Sequence, residues 1–498
     1  MEISRPKIRI TGGVLVGNYS QNGVAVFKGI PYAKPPVGEL RFKPPVPMDP
    51  WDGELDCSEY GNSPIQNDIN HNPLWTDEFL IRNENFSEDC LTLNVFAKTG
   101  CDKKLPVIVY LYGGGFVSGG SSCDIYDGTR IAEKGVVFIT FNHREGTLAL
   151  YSSEKMSKTS ELGVSGNLIL LDDIAVLKWV KDNIEFFGGD PENVTIMGQS
   201  SGASQVNALS ISNVASGLFT KTISLGFNNY TEFYRPFSTK EEGYQTCRDI
   251  VSSSGLSEEE FLALPAAEYL KYKAVNQLTL DGKILDLKFK DAVREGRTGK
   301  YLTVMEAVPG DSLMGGLFGS FAAQGVPIKE MSQVEEVLKD FFEEGYEKAR
   351  EIYITAERTV DEVKKKINED FLIAAMLYFA GDRLRTNPEQ PAYIFFFAHP
   401  MPGPMKEKFG AFHSCEVPYF TNVFSDLRKD FWQEEDYALG EYMLDLLVGF
   451  VRDAVMPEGF LPSDGTNYFW IDAGEKRNCE FEKDKKELWL SAFMRKNQ

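Results

Sequence analysis

The run VTIMGQSSGAS at 194–204 sets Ser200 between two glycines, Gly198 and Gly202, in the pattern G-x-S-x-G. A serine hydroxyl on a sharp strand-to-helix turn is exposed for attack, and small residues on either side leave room for the bend. The turn also places Ser200 at a helix N-terminus, where developing negative charge is favoured. A second run, YLYGGGFVSGG at 110–120, follows an apolar stretch with three successive glycines. Glycines bare the backbone N–H groups, so Gly114 and Gly115, with the N–H of Ser201, form a candidate oxyanion hole. Each such donor contributes about 2.7–4 kcal/mol to a transition state that gathers charge on oxygen. No Gly-Lys-Ser/Thr follows, which speaks against a phosphate loop.

An alcohol needs a base at neutral pH, and an imidazole is the usual one. Only four histidines exist: His71, His143, His399 and His413. Where a serine sits on a strand–turn–helix elbow, the chain order is serine, acid, histidine, which leaves His399 and His413. His413, in the glycine-containing loop KFGAFHSCEVPYF, is the candidate base. His399, at a strand end beside Pro400, reads as structural, and His143 and His71 precede the serine.

The elements that must hold these residues are legible as apolar runs. Leu91–Phe96, Pro106–Tyr112, Val136–Phe141 and Val194–Met197 are short and rich in β-branched residues, as expected of strands covered on both faces. Between the last two, Asn167–Phe187 carries Leu170, Leu171, Ile174, Leu177, Val180 and Ile184 at helical spacing. Strand, helix, strand in that order predicts a parallel α/β sheet. Further on, Tyr301–Val308 and 391–399 read as strands, Lys329–Arg385 as helical, and Tyr437–Asp453 as an amphipathic helix. KIRITGGVLVG near the start reads as a hairpin about Gly12-Gly13. The expected fold class is α/β: one domain over 1–498, with helical cap insertions at about 230–300 and 315–385.

Composition bounds the function. The chain has 498 residues, 43% hydrophobic and 25% charged, with no repeat or low-complexity tract, as in globular proteins. The formal net charge of −21 repels phosphate backbones, so nucleic acid is not an expected partner. The longest apolar stretches, such as Leu105–Tyr112, fall far short of the about 20 residues a bilayer requires, so no membrane association is expected. Seven cysteines form no CxxC pair and no zinc-like cluster with histidine. With no apolar leader in MEISRPKIRITGG, free thiols and a cytoplasmic location are expected.

Five runs in order, FKGIPYAKPPVGELRF (27–42), SEDCLTLNV (87–95), YGGGF (112–116), NIEFFGGDPENVTIMGQSSGA (183–203) and GAFHSCEVPYF (410–420), give the chain its resemblance. It resembles the type-B carboxylesterase/cholinesterase family of α/β-hydrolases over nearly its whole length. The resemblance implies an α/β-hydrolase fold, a large mixed, mostly parallel sheet flanked by helices. It also implies Ser200 as nucleophile, His413 as general base, and Gly114, Gly115 and Ser201 as the oxyanion hole. Members of the family commonly have alanine at the position of Ser201, but a backbone donor does not depend on its side chain. The family's acid is typically a glutamate in a D-E-G turn, and this chain has TVMEAVPGDSLMGGLF there instead. Asp311, just after the strand, is the candidate acid at a family-like separation, with Glu306 as the second candidate. Cys90 resembles a half-cystine whose upstream partner position holds Ser63, with Cys57 nearby. Tyr112 resembles cholinesterases, but Trp75 does not fall at the distance of their choline-binding tryptophan before SEDC, and Gln199 replaces the glutamate beside their serine.

The expectation is a serine carboxylesterase that hydrolyses small to medium apolar esters through an acyl-enzyme, with no cofactor or metal, as a monomer or homodimer. Phe116 and Phe227 are candidate acyl-pocket residues. Thioesterase, amidase or lipase activity would use the same machinery. A non-catalytic binding protein on the same fold is the rival class.

Overall fold

The computed structural model describes residues 5–67, 79–101, 103–226, 229–231, 237–306, 316–319, 321, 326–404 and 406–496. Its centre is an eleven-stranded sheet. In chain order the strands are β1 (Asn18–Tyr19), β2 (Val24–Pro31), β3 (Thr92–Lys98), β4 (Leu105–Leu111), β5 (Val137–Phe141) and β6 (Gly189–Gln199). They continue with β7 (Lys221–Leu225), β8 (Lys300–Glu306), β9 (Ala392–Phe397), β10 (Asn467–Ile471) and β11 (Lys476–Glu480). Across the sheet the order is β11-β10-β9-β8-β7-β6-β4-β5-β3-β2-β1. Every pair from β5 through β4, β6, β7, β8 and β9 to β10 is parallel, and the pairs outside that block are antiparallel.

The block is parallel because helices cover it on both faces, and its strands are accordingly buried along nearly their full length. The helices that matter for the site are α1 (Gly146–Leu150), α2 (Leu168–Asn183), α3 (Ser201–Ile211), α4 (Lys240–Ser254), α5 (Met331–Phe342), α6 (Val360–Thr386) and α7 (Glu434–Asp453). Two apolar clusters result. One holds Val109, Ile139, Ile196 and Phe396. The other holds Ile108, Phe138, Met197 and Phe395. Neighbouring residues of single strands thus fall in opposite clusters, as period-two alternation requires.

The expected hairpin is present: Lys7–Arg9 pairs antiparallel with Val14–Val16, and Ile10 donates its N–H to the Gly13 carbonyl at 2.9 Å. The expected late helical region divides into three helices, α5, Tyr346–Tyr353 and α6. Within the described residues β8 runs to Glu306, which stands toward the carboxyl end of the strand, the side where open α/β sheets carry their sites. The expected strand end at Val308 lies outside the described residues.

Candidate active site

β6 delivers Ser200 and α3 departs from it. Ser200 has φ 55° and ψ −120°, a conformation that L-residues hold only under strain. The flanking glycines are a steric need. A Cβ on Gly198 would lie 2.3 Å from the Gly202 carbonyl oxygen, and one on Gly202 would lie 2.1 Å from that of Leu111. The bend is pinned by its backbone: Ser200 N–H donates to Leu225 O of β7 at 3.0 Å, and Ser204 N–H donates to Ser200 O at 3.1 Å.

The glycine run after β4 packs on this bend. A Cβ on Gly113 would meet the Ser200 Cβ at 2.8 Å, so only glycine lets the two segments approach so closely. Gln66 holds the far end of the loop, accepting from Gly119 N–H at 2.9 Å and donating to Gly119 O at 2.7 Å. Gly114, Gly115, Phe116, Ser200, Ser201 and His413 all line one cavity of about 700 Å³. The candidate nucleophile, base and oxyanion donors therefore share a single space, with Ser200 itself 8% exposed.

His413 is buried in the loop between β9 and α7, and its Nδ1 lies in hydrogen-bond contact with Glu306 Oε1. With Nδ1–H donating to that carboxylate, Nε2 keeps its lone pair. Gln199 Nε2 approaches Nε2 at 3.3 Å and donates to Ser414 Oγ at 2.8 Å. Asp311, the first candidate for the acid, lies outside the described residues, as do Phe227, His71 and Trp75. Among the described residues, the carboxylate brought to the ring is that of Glu306. Glu306 owes its place to Gly226, which follows β7 with φ 68°. A Cβ there would stand 2.6 Å from Glu306 Oε1 and 2.7 Å from Oε2.

Three further features carried no sequence signal. Glu416, fully buried, has neither carboxylate oxygen hydrogen-bonded among the described residues. Burial, with the charge of Glu306 adding to it, pushes its carboxyl well up. Glu145, a wall residue of the cavity, is a second buried carboxyl. Gln199, a departure from cholinesterases in the sequence, touches the candidate base His413. His143 is buried, stacked on Tyr112 at 4.3 Å, and burial lowers it to about 4. His399 is structural in placement, donating between Asp436 at 2.8 Å and Asp472 at 2.9 Å. All seven cysteines, Cys57 and Cys90 included, are free thiols.

The sequence pattern of the carboxylesterase family matches residues 4–294. The chain belongs to the carboxylesterase family. The matched stretch includes the glycine loop and the elbow, while Glu306 and His413 lie beyond it. Among relatives, a para-nitrobenzyl esterase of Bacillus subtilis (strain 168) is 39% identical over 279 residues, 55% of this chain and 54% of the relative. A fumonisin B1 esterase of Sphingopyxis macrogoltabida is 42% identical over 204 residues, 41% of this chain and 36% of the relative. Carboxylesterase 1D of Rattus norvegicus is 40% identical over 233 residues, 44% of this chain and 40% of the relative. These alignments thus span about half or less of the relatives' own length.

Solved structures extend the likeness to the rest of the fold. A PNB esterase superimposes with a TM-score of 0.79 at 26% identity, over 98% of this chain and 99% of that one. A thermophilic PNB esterase gives 0.78 at 26%, over 97% and 100%. The fold is that of the α/β-hydrolases, as the resemblance implied.

Proposed function

We propose that this member of the carboxylesterase family is a serine hydrolase of carboxylic esters, with Ser200 as nucleophile, His413 as base and Glu306 as the acid that orients it. The observation that carries the reading is the contact of Glu306 with His413, whose ring lines the same cavity as the strained Ser200. Ser200 Oγ attacks the ester carbonyl carbon as His413 Nε2 takes the hydroxyl proton. The resulting oxyanion is held by the N–H groups of Gly114, Gly115 and Ser201. Collapse expels the alcohol, protonated by the imidazolium, and leaves Ser200 acylated. Water, deprotonated by the same ring, then attacks the acyl carbon, and release of the acid restores Ser200.

The cavity suits small to medium esters, with Phe116 in its wall as an acyl contact. The residues around Tyr269–Asn276, which belong to the inserted region before β8, line the same cavity and act as part of a cap over it. No helix among the described residues is long and apolar enough to cross a membrane. Seven free thiols favour a reducing compartment such as the cytoplasm.

Ser200→Ala tests the assignment. The variant is expected to melt like the parent while hydrolysis of p-nitrophenyl butyrate falls by about 10⁶-fold. Near-normal turnover by that variant removes Ser200 from the mechanism. Failure of the parent to react with a fluorophosphonate probe would favour the non-catalytic binding protein.

A further inference from the structure

Among the described residues that line the cavity beside Ser200, Glu145 alone carries a carboxyl. It is 4% exposed, and it precedes α1 without capping it. One of its oxygens faces His143 Nδ1 at 3.6 Å, and the other, Oε2, has no hydrogen-bond partner among the described residues. An unmet buried oxygen is a cost that an apolar side chain at this position would not carry.

The backbone on either side of Glu145 is held in place. Arg144, its neighbour, is locked to Asp172 through its backbone N–H at 3.1 Å and its guanidinium at 2.6 and 2.9 Å. On the other side, Gly146 N–H donates to Phe116 O at 2.7 Å, which ties the segment to the loop of candidate oxyanion donors. Burial pushes the Glu145 carboxyl well up, opposed by the Tyr112 hydroxyl and aided by the charge of Asp173. Burial thus disfavours the charged form of Glu145 and of the nearby His143 alike. A neutral carboxyl can donate and accept one hydrogen bond each, which suits an uncharged polar group. A cationic group would need an ionised partner, which this burial opposes.

Resting on the esterase reading above, we infer that Glu145 determines specificity, its carboxyl receiving a neutral hydrogen-bonding group of the ester, with a hydroxyl as the simplest case. The enzyme then prefers a hydroxylated ester to a plain one of the same size.

Two isosteric pairs test this and separate the acyl from the alcohol side. The first is p-nitrophenyl 3-hydroxybutyrate against p-nitrophenyl 3-methylbutyrate. The second is 2-hydroxyethyl butyrate against n-propyl butyrate. In one pair, kcat/KM for the hydroxylated member is expected to exceed that of the plain member by about tenfold. Glu145→Leu should collapse that ratio to one or below, and Glu145→Gln, which still donates and accepts, should keep it within about threefold. Glu145→Met stands in should the leucine variant not fold. A parent ratio near one in both pairs, or a ratio that survives the leucine or methionine change, overturns the role of Glu145. Failure of the parent to hydrolyse any of the four esters overturns the esterase reading itself.

Discussion

Two contacts decide whether the proposed triad works, and each rests on one side chain or its absence. Glu306 reaches His413 Nδ1, so Glu306→Gln is expected to lower kcat about 10⁴-fold, by analogy with loss of a triad acid that leaves geometry intact. Asp311→Asn, measured beside it, should leave kcat within a few-fold. A large loss in that variant instead would return the acid's role to Asp311. Gly226 makes room for the Glu306 carboxylate, and its φ of 68° is unfavourable for any other residue. Gly226→Ala would set a methyl within 2.6 Å of Glu306 Oε1 and displace it. A shift of about 1 Å at an orienting group costs about 10²-fold in rate. Steady-state kinetics should show that loss mainly in kcat, and an unchanged kcat would mean that the acid tolerates the move.

Between β9 and α7 the chain must leave the sheet, present His413 and return. His399 pins the start of that passage, joining Asp436 in the first turn of α7 to Asp472 just beyond β10. Tyr419 adds a hydrogen bond to Asp436 Oδ1 at 2.7 Å. Burial works against a charged His399, but its two carboxylate partners outweigh it, and its pKa rises above the ordinary value. Burial raises Asp436 as well, yet its bonds from His399 and Tyr419 prevail and lower it. The signs define a window. The His399 contribution is complete below its unfolded value of about 6.5 and is lost as pH climbs through the raised folded value. The Asp436 contribution is complete above its unfolded value of about 3.9 and is lost as pH falls through the depressed one. His399→Gln should therefore destabilise by roughly 1–3 kcal/mol near pH 5–6 and by less in alkaline solution. Denaturant melts across pH 5–9 check this, and a difference that stays flat would make the clamp a matter of packing alone.

Across the whole molecule, six of seven thiols are buried and only Cys101 is exposed. Cys90 is pushed up by burial, and burial likewise raises Cys57 to about 12, so neither is a reactive thiolate. Titration with a thiol reagent should label about one cysteine in the native protein and seven after unfolding, with the melting temperature indifferent to reductant. A count below seven in the unfolded, unreduced protein would reveal a disulfide. The net charge is −21, but the described lining of the cavity holds one carboxyl and one lysine, Lys273, so the acidity is not concentrated at the site.

How much of this was legible in the chain follows from how local each signal is. The elbow, the glycine loop and the parallel strands are written in runs of about ten residues, because tight turns and buried strands constrain neighbours in sequence. His413 was legible by order and scarcity. The acid is less so: Glu306 and Asp311 sit five positions apart, and the proposal of Glu306 rests on its contact with His413 and on the space beside Gly226, neither of which is local in sequence. Glu145, Glu416 and Gln199 were silent as well. Their chemistry comes from burial and from partners far away in the chain, and only packing in three dimensions creates either.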